Sequence, residues 1–339
     1  MKKTLLLLFL VLVVGAIALY LSTSDNPFKS EGMEQSDFTI ADTASIGKIL
    51  IADRSGRVIV VNRADGRWLL NGKYPAREDA VETLLRTFKN IYIQRTVPRE
   101  AQEQVNTVMA SSAKKVEIYD LDNELIKTWY VGHATMDKKG TYMLLETPKY
   151  GKSSVPFVMD MKGFIGMLNT RFFLDENEWR STLLLTYPEM NLDKIEVEYP
   201  RDRASSFKVE YNGGNEIKLF ALDNRPIAVF DTTTLKDYML NYKKMAFENF
   251  RTELSQFQID SIRATDPFQI IRIEDPKGSH EIKLWPKKAP SFAVGEKADS
   301  LGLDREKVYG TYNDGELATA QRFVWDKFRA PINAFLSKE

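Results

Sequence analysis

The chain has no cysteine. That excludes disulfides, thiol nucleophiles, cysteine-held zinc and lipid attachment through an N-terminal cysteine. It does not argue against export, because a large enough core makes disulfides dispensable. Charge of one sign is also missing: 47 Lys and Arg balance 47 Asp and Glu, so the formal net charge is zero. A nucleic-acid binder needs a basic surplus or a clustered basic face, and no nucleic-acid partner is expected. Short runs such as Lys138-Lys139 and Lys287-Lys288 read as solvated loops. Histidine is scarce, with only His133 and His280, and neither has a His-x-x-x-His or Glu-x-x-His partner. Neither glycine pattern that cradles phosphate occurs. No metal and no other cofactor is expected.

One long apolar run is present, at the N-terminus. Thr4 to Leu21 carries no charge, and Leu5 to Val14 is wholly apolar. A spanning helix needs roughly 20 residues, within a range of about 17–25. Lys2 and Lys3 favour the cytoplasmic side, which puts the rest of the chain outside the cytoplasm. The expectation is a single-pass inner-membrane anchor formed by residues 4–21, with a periplasmic body. The alternative is a signal peptide cleaved near Ala18, because Ala16-Ile17-Ala18 is a small-x-small site. Residues 22–45 are small and polar and read as a flexible tether.

Hydrophobic residues make up 43% of the chain and aromatic residues 11%, enough to build a globular core. KILIA, RVIVVNR and RWLLN are strand candidates, and Asp65-Gly66 signals a tight hairpin between the last two. Val81, Leu84, Leu85, Phe88, Ile91 and Tyr92 fall on one face of a helix. The six positions 154 residues later are Leu235, Tyr238, Met239, Tyr242, Met245 and Ala246, behind an N-cap candidate at Asp231. Val116, Ile118 and Asp120 recur 155 residues later as Ile271, Ile273 and Asp275. PFVMD (156–160) likewise resembles RFVWD (322–326). The chain therefore reads as an internal duplication, against the simpler alternative that β-hairpins look alike. The units would be 46–190 and 191–339. Each is expected to be α+β: an antiparallel meander with one amphipathic helix and a short second helix.

The stretch YVGHATMDKKGTYMLL (130–145), with PFVMDMKGF, Arg171-Phe172 and WRSTLLL from Trp179, resembles the bacterial family called domain of unknown function 4340. GRWLLNGKYPAREDAVETLLRTF (66–88) precedes it. The form is similar to membrane-anchored members from Bacteroidetes. Trp68, Gly132, Thr135, Gly140, Tyr142 and Arg180 match the family pattern over about residues 49–190. The resemblance implies structural motifs, no known activity and a place among envelope or transport-associated proteins.

Candidate chemistry is thin. His133, Thr135 and Asp137 stand within five positions of one another and could in principle form an acid–base or binding group. Such groups are usually assembled from distant segments, so no catalytic residue is assigned. His280 is expected at the surface. DLDNE (120–124) reads as a hairpin turn rather than a calcium loop. The favoured function is a non-enzymatic interaction or scaffold component that meets other envelope proteins. The alternatives are a small-molecule or glycan module in a cleft between the units, and a hydrolase using the His133 loop.

Overall fold

The structure, a computed structural model, describes residues 36–211, 216–290 and 298–337. The anchor or signal peptide expected at 1–21 lies outside the described residues. Among the described residues no helix is long and apolar enough to cross a membrane. Contacts divide the chain into two compact units between Ser181 and Thr182, ahead of the division after 190 read from the sequence. The shift arises because Leu183–Thr186 pairs antiparallel with Lys244–Ala246 of the second unit.

In the first unit, β1 (Ile46–Ala52), β2 (Val58–Ala64), β3 (Arg67–Leu70) and β4 (Tyr74–Pro75) form a meander. Asp65 and Gly66 turn β2 into β3 with φ of 50° and 75°, the geometry that pair was expected to supply. Then come α1 (Glu78–Asn90), β5 (Ile91–Thr96) and α2 (Arg99–Ser112). A second run contains β6 (Lys114–Asp120), β7 (Leu125–Ala134), β8 (Thr141–Thr147), β9 (Gly151–Lys152) and β10 (Phe157–Met161), and α3 (Glu176–Trp179) closes the unit. The strand order is β4-β3-β2-β1-β6-β7-β8-β10-β5, with β9 beside β8. Pro75 on the two-residue edge strand has no N–H to offer a further strand.

The two faces of this sheet are covered differently. Val81, Leu84 and Phe88 of α1 are buried with Ile49, Ile51, Val116, Ile118 and Trp129. On the opposite face, Val105 and Met109 of α2 cluster with Val97, Leu144 and Val158. β8 shows the period of two: Met143 and Leu145 join the first cluster and Leu144 the second. α2 corrects the expectation of one amphipathic helix and one short helix per unit. It buries only Val105 and Met109, too narrow a stripe to stand out by periodicity.

The tether expected over 22–45 also needs correction for its last ten residues. Phe38 and Ile40 are buried in the first core. Phe38 meets Trp129 and Phe157 edge-on at 5.9 and 5.8 Å, and the Ile40 N–H donates to Phe88 O at 2.9 Å. The alternation Phe38-Thr39-Ile40 is that of an extended segment with one buried face.

The second unit begins with β11 (Leu183–Thr186), followed by the meander β12 (Lys194–Glu198), β13 (Phe207–Tyr211), β14 (Ile217–Ala221) and β15 (Pro226–Ile227). Next are α4 (Thr232–Leu240), β16 (Lys244–Ala246), β17 (Asn249–Phe250) and α5 (Gln256–Arg263). The unit ends with β18 (Gln269–Asp275), β19 (Gly278–Lys288), β20 (Leu303–Tyr312), β21 (Ala318–Gln321) and α6 (Arg322–Trp325). Asp231 caps α4 as expected, its Oδ1 accepting from the N–H groups of Thr233 and Thr234. Leu235, Tyr238 and Tyr242 are buried with Ile195, Val197, Ile271 and Ile273.

The second sheet runs β15-β14-β13-β12-β18-β19-β20-β21-β17, which is the order of the first sheet strand for strand, without β9. The central pairs share a register. Ile49 and Ile51 oppose Ile118 and Val116, and Ile195 and Val197 oppose Ile273 and Ile271. Every strand pairing among the described residues is antiparallel, so the fold is α+β with antiparallel sheets. One sequence match does not survive. PFVMD lies in strand β10, whereas RFVWD begins with helix α6, and the counterpart of β10 is β21. Local similarity of five residues does not fix secondary structure when tertiary neighbours differ.

Candidate functional site

The end of β7 and the turn that follows it hold the three candidate residues His133, Thr135 and Asp137. Thr135 is buried, and its Oγ1 donates to Asp137 Oδ1 at 2.5 Å and accepts from the Gly140 N–H at 3.1 Å. The Lys139 N–H also donates to Asp137 Oδ1, at 3.1 Å. The Thr135 hydroxyl, then the Lys139 amide, hold the Asp137 carboxyl below its usual range. Thr135 and Asp137 therefore spend their polar atoms closing the hairpin. His133 does not join them. Its ring packs on Tyr142, centroids 4.9 Å apart, and its buried Nδ1 has no partner. A hydroxyl already donating to a carboxylate, with the imidazole turned to a tyrosine, makes no nucleophile–base pair.

The residues matching the family pattern sit at close approaches. A Cβ on Gly132 would stand 2.9 Å from both Met109 Cγ and Tyr142 O, so the glycine lets α2 lie against β7. A Cβ on Gly140 would stand 2.4 Å from Val158 Cγ1. Gly140→Ala is expected to destabilise the protein by about 1–3 kcal/mol through overpacking, seen as a lower urea midpoint. Tyr142 packs with the cluster under α2. The Arg63 guanidinium lies over Trp68 at 5.0 Å, and that of Arg180 over Tyr74 at 3.7 Å.

The second unit contains a polar cluster that sequence reasoning missed, and it corrects the surface placement of His280. The His280 side chain is only 14% exposed. His280 Nε2 lies 3.2 Å from Asp275 Oδ2, and its Nδ1 lies 2.7 Å from the Tyr312 hydroxyl. The Tyr187 hydroxyl donates to the same Asp275 oxygen at 2.8 Å. The N–H groups of Lys277 and Gly278 donate to Asp275 Oδ1 at 2.7 and 3.1 Å. Burial pushes the Asp275 carboxyl up, but Tyr187, the Lys277 amide and His280 outweigh it, and its pKa lies below the usual value. The carboxylate is saturated and ties β18, β19, β20 and the segment at Tyr187 together. The signal was cross-strand register: once Ile273 opposes His280, the imidazole must share the face of the buried isoleucines.

Among the described residues no three His, Asp or Glu side chains gather to hold a metal. A cleft of about 490 Å³ in the first unit is lined by Asn106, Met109, Lys115, Tyr130, Lys152 and Ser153. Two of its polar groups are engaged: Lys115 pairs with Glu117 at 2.6 Å, and the Tyr130 hydroxyl donates to Glu146 at 2.6 Å, whereas Asn106 Oδ1 has no partner. Burial and Glu146 push the Tyr130 phenol up, so it stays protonated. In the second unit, Leu254, Phe257, Ile262, Pro286 and Tyr309 line an apolar cleft of about 490 Å³ beside α5.

Fold and site together define a two-unit antiparallel α+β protein in which Thr135 and Asp137 close a turn and His133 packs on Tyr142. The family described as Domain of unknown function (DUF4340) matches residues 68–272, more than half of the chain, and the chain belongs to that family. The match starts in β3 and ends in β18, so it runs through the first unit and into the second. No curated protein and no solved structure matches the chain.

Proposed function

We propose that this chain is a non-catalytic interaction protein of the cell envelope. In this reading residues 4–21 tether it to the inner membrane and its body lies in the periplasm. Its two units descend from one duplicated unit, and the shared strand order and central register support that descent. The observation that carries the interaction reading is the apolar cleft at α5. Phe257 is 81% exposed at its rim, although the helix does not need it in order to form. Ser255 and Gln258 make a reciprocal capping box, and α5 has no buried residue. An exposed phenylalanine over an apolar cleft is the chemistry of a protein contact.

Phe257→Asp is expected to leave the unfolding midpoint unchanged, because the ring is already in water. It is expected to abolish co-purification of the partner from detergent-solubilised membranes. Recovery of the unsubstituted protein alone after cross-linking would count against the reading.

A further inference from the structure

One end of the first sheet differs from the rest of that unit. Thr141 pairs with Met159 and Met161 pairs with Ile91, so the turn 135–140, the loop 162–167 and the end of α1 lie side by side. Hydrogen bonds join them: Gln94 Nε2 donates to Lys139 O at 3.5 Å, and the Lys162 N–H donates to Asn90 O at 3.3 Å. Two apolar side chains project from this end into water. Met136 is 103% exposed and Ile165 is 92% exposed. The same turn, loop and helix end carry exposed Arg86, Lys89, Lys138, Lys139 and Lys162, and half-buried Arg171 lies over the Phe164 ring at 4.2 Å. The two carboxylates here are already engaged. Asp137 accepts from Thr135 and Lys139, and Asp160 accepts from Tyr92 and Gln94. The far end of β7 is the reverse: Leu121, 63% exposed, stands among Asp120, Asp122 and Glu124.

We propose that this end of the first unit docks on an anionic lipid surface, with Met136 and Ile165 entering the headgroup boundary and these cations meeting lipid phosphates. The apolar tips project singly from two turns, and neither lines the two clefts described above. A protein interface needs a continuous patch with a packed centre. A bilayer needs only protruding apolar points in a positive field. The long lysine stems can lie along the acyl boundary while their ammonium groups stay at the phosphates. The contact is separate from the tether at residues 4–21 and goes beyond the protein-partner reading.

The absence of cysteine makes the test clean, since one introduced thiol takes one label. The full chain carrying Met136→Cys, Ile165→Cys or Leu121→Cys, each with an environment-sensitive fluorophore, is mixed with vesicles of phosphatidylcholine alone or with added phosphatidylglycerol. Labels at 136 and 165 are expected to shift to the blue, and to be quenched by nitroxide lipids, on the anionic vesicles only. The label at 121 should do neither. Added salt should reverse the effect, and Lys138→Glu, Lys139→Glu and Lys162→Glu together should lower tip contact at least about tenfold. A chain that joins both vesicle types while labels 136 and 165 stay wet overturns this proposal and leaves the tether standing. A chain that joins only anionic vesicles, with its tips buried, supports the proposal and removes the tether. Equal response of all three labels overturns it.

Discussion

Asp304→Ala is expected to destabilise the second unit by about 3–5 kcal/mol, the cost of leaving a buried charge unpaired. Lys287 Nζ lies 2.7 Å from Asp304 Oδ2, and the two side chains are only 11% and 8% exposed. The other carboxylate oxygen accepts from the N–H groups of Glu306 and Lys307, so the group also closes the start of β20. Removing the carboxylate strands the ammonium in a site built for a pair. Asp304→Asn keeps the shape but not the charge, and should be nearly as harmful. Lys287→Met with Asp304→Leu removes both charges and should be milder than Asp304→Ala alone. Urea midpoints of the three variants test this order.

The same carboxylate gives a pH dependence. Burial pushes the Asp304 carboxyl up, but Lys287 and the two amides outweigh it, and its folded pKa lies below the ordinary aspartate value. Asp275 is depressed in the same direction. A carboxyl whose folded pKa is depressed contributes stability that is present above the unfolded pKa and lost as pH falls through the folded value. Stability should therefore hold at neutral pH and decline below about pH 4. In Asp304→Ala that decline should be shallower.

Trp129→Ala is expected to cost about 3–5 kcal/mol, the range for emptying a large aromatic site in a core. Trp129 is fully buried, with ring centroids 5.0 Å from Phe88, 5.9 Å from Phe38 and 6.4 Å from Phe172. These partners come from α1, from the segment before β1 and from the segment after β10. The indole N–H has no hydrogen-bond partner, so the side chain acts by packing alone. Trp129→Phe should recover part of the loss. In the second unit the equivalent register position is Ile282, opposite Ile271 as Trp129 is opposite Val116. A smaller residue at that place needs different helix-side partners, and Tyr238, Tyr242 and Phe335 supply the bulk.

Features governed by local physics were legible in the sequence. Asp65-Gly66 must turn and Asp231 must cap, and the apolar spacing holds for Val81, Leu84 and Phe88 of α1 and Leu235, Tyr238 and Met239 of α4, but Ile91 and Tyr92 lie in β5, and Met245 and Ala246 in β16, rather than on the helices. Val116 and Ile118 pointed to Ile271 and Ile273, which occupy matching registers. Features that depend on partners distant in sequence were hidden. Residues 36–45 read as tether because only Phe38 and Ile40 are large and apolar there, and their burial depends on Trp129, Phe157 and the backbone of Phe88. His280 looked exposed because its partners Asp275 and Tyr312 arrive from other strands. The His133 loop was half legible: the Thr135–Asp137 contact is local, whereas the turn of His133 toward Tyr142 depends on β8.

The central claim is that one sheet architecture is built twice, each time around its own core. Amide hydrogen exchange of the full chain, unsubstituted and with Asp304→Ala, tests it most directly. The account predicts two sets of slow amides, one centred on the β1–β6 pair and one on the β12–β18 pair, with the substitution accelerating only the second. Equal acceleration of both sets, opening as one unit, would contradict it.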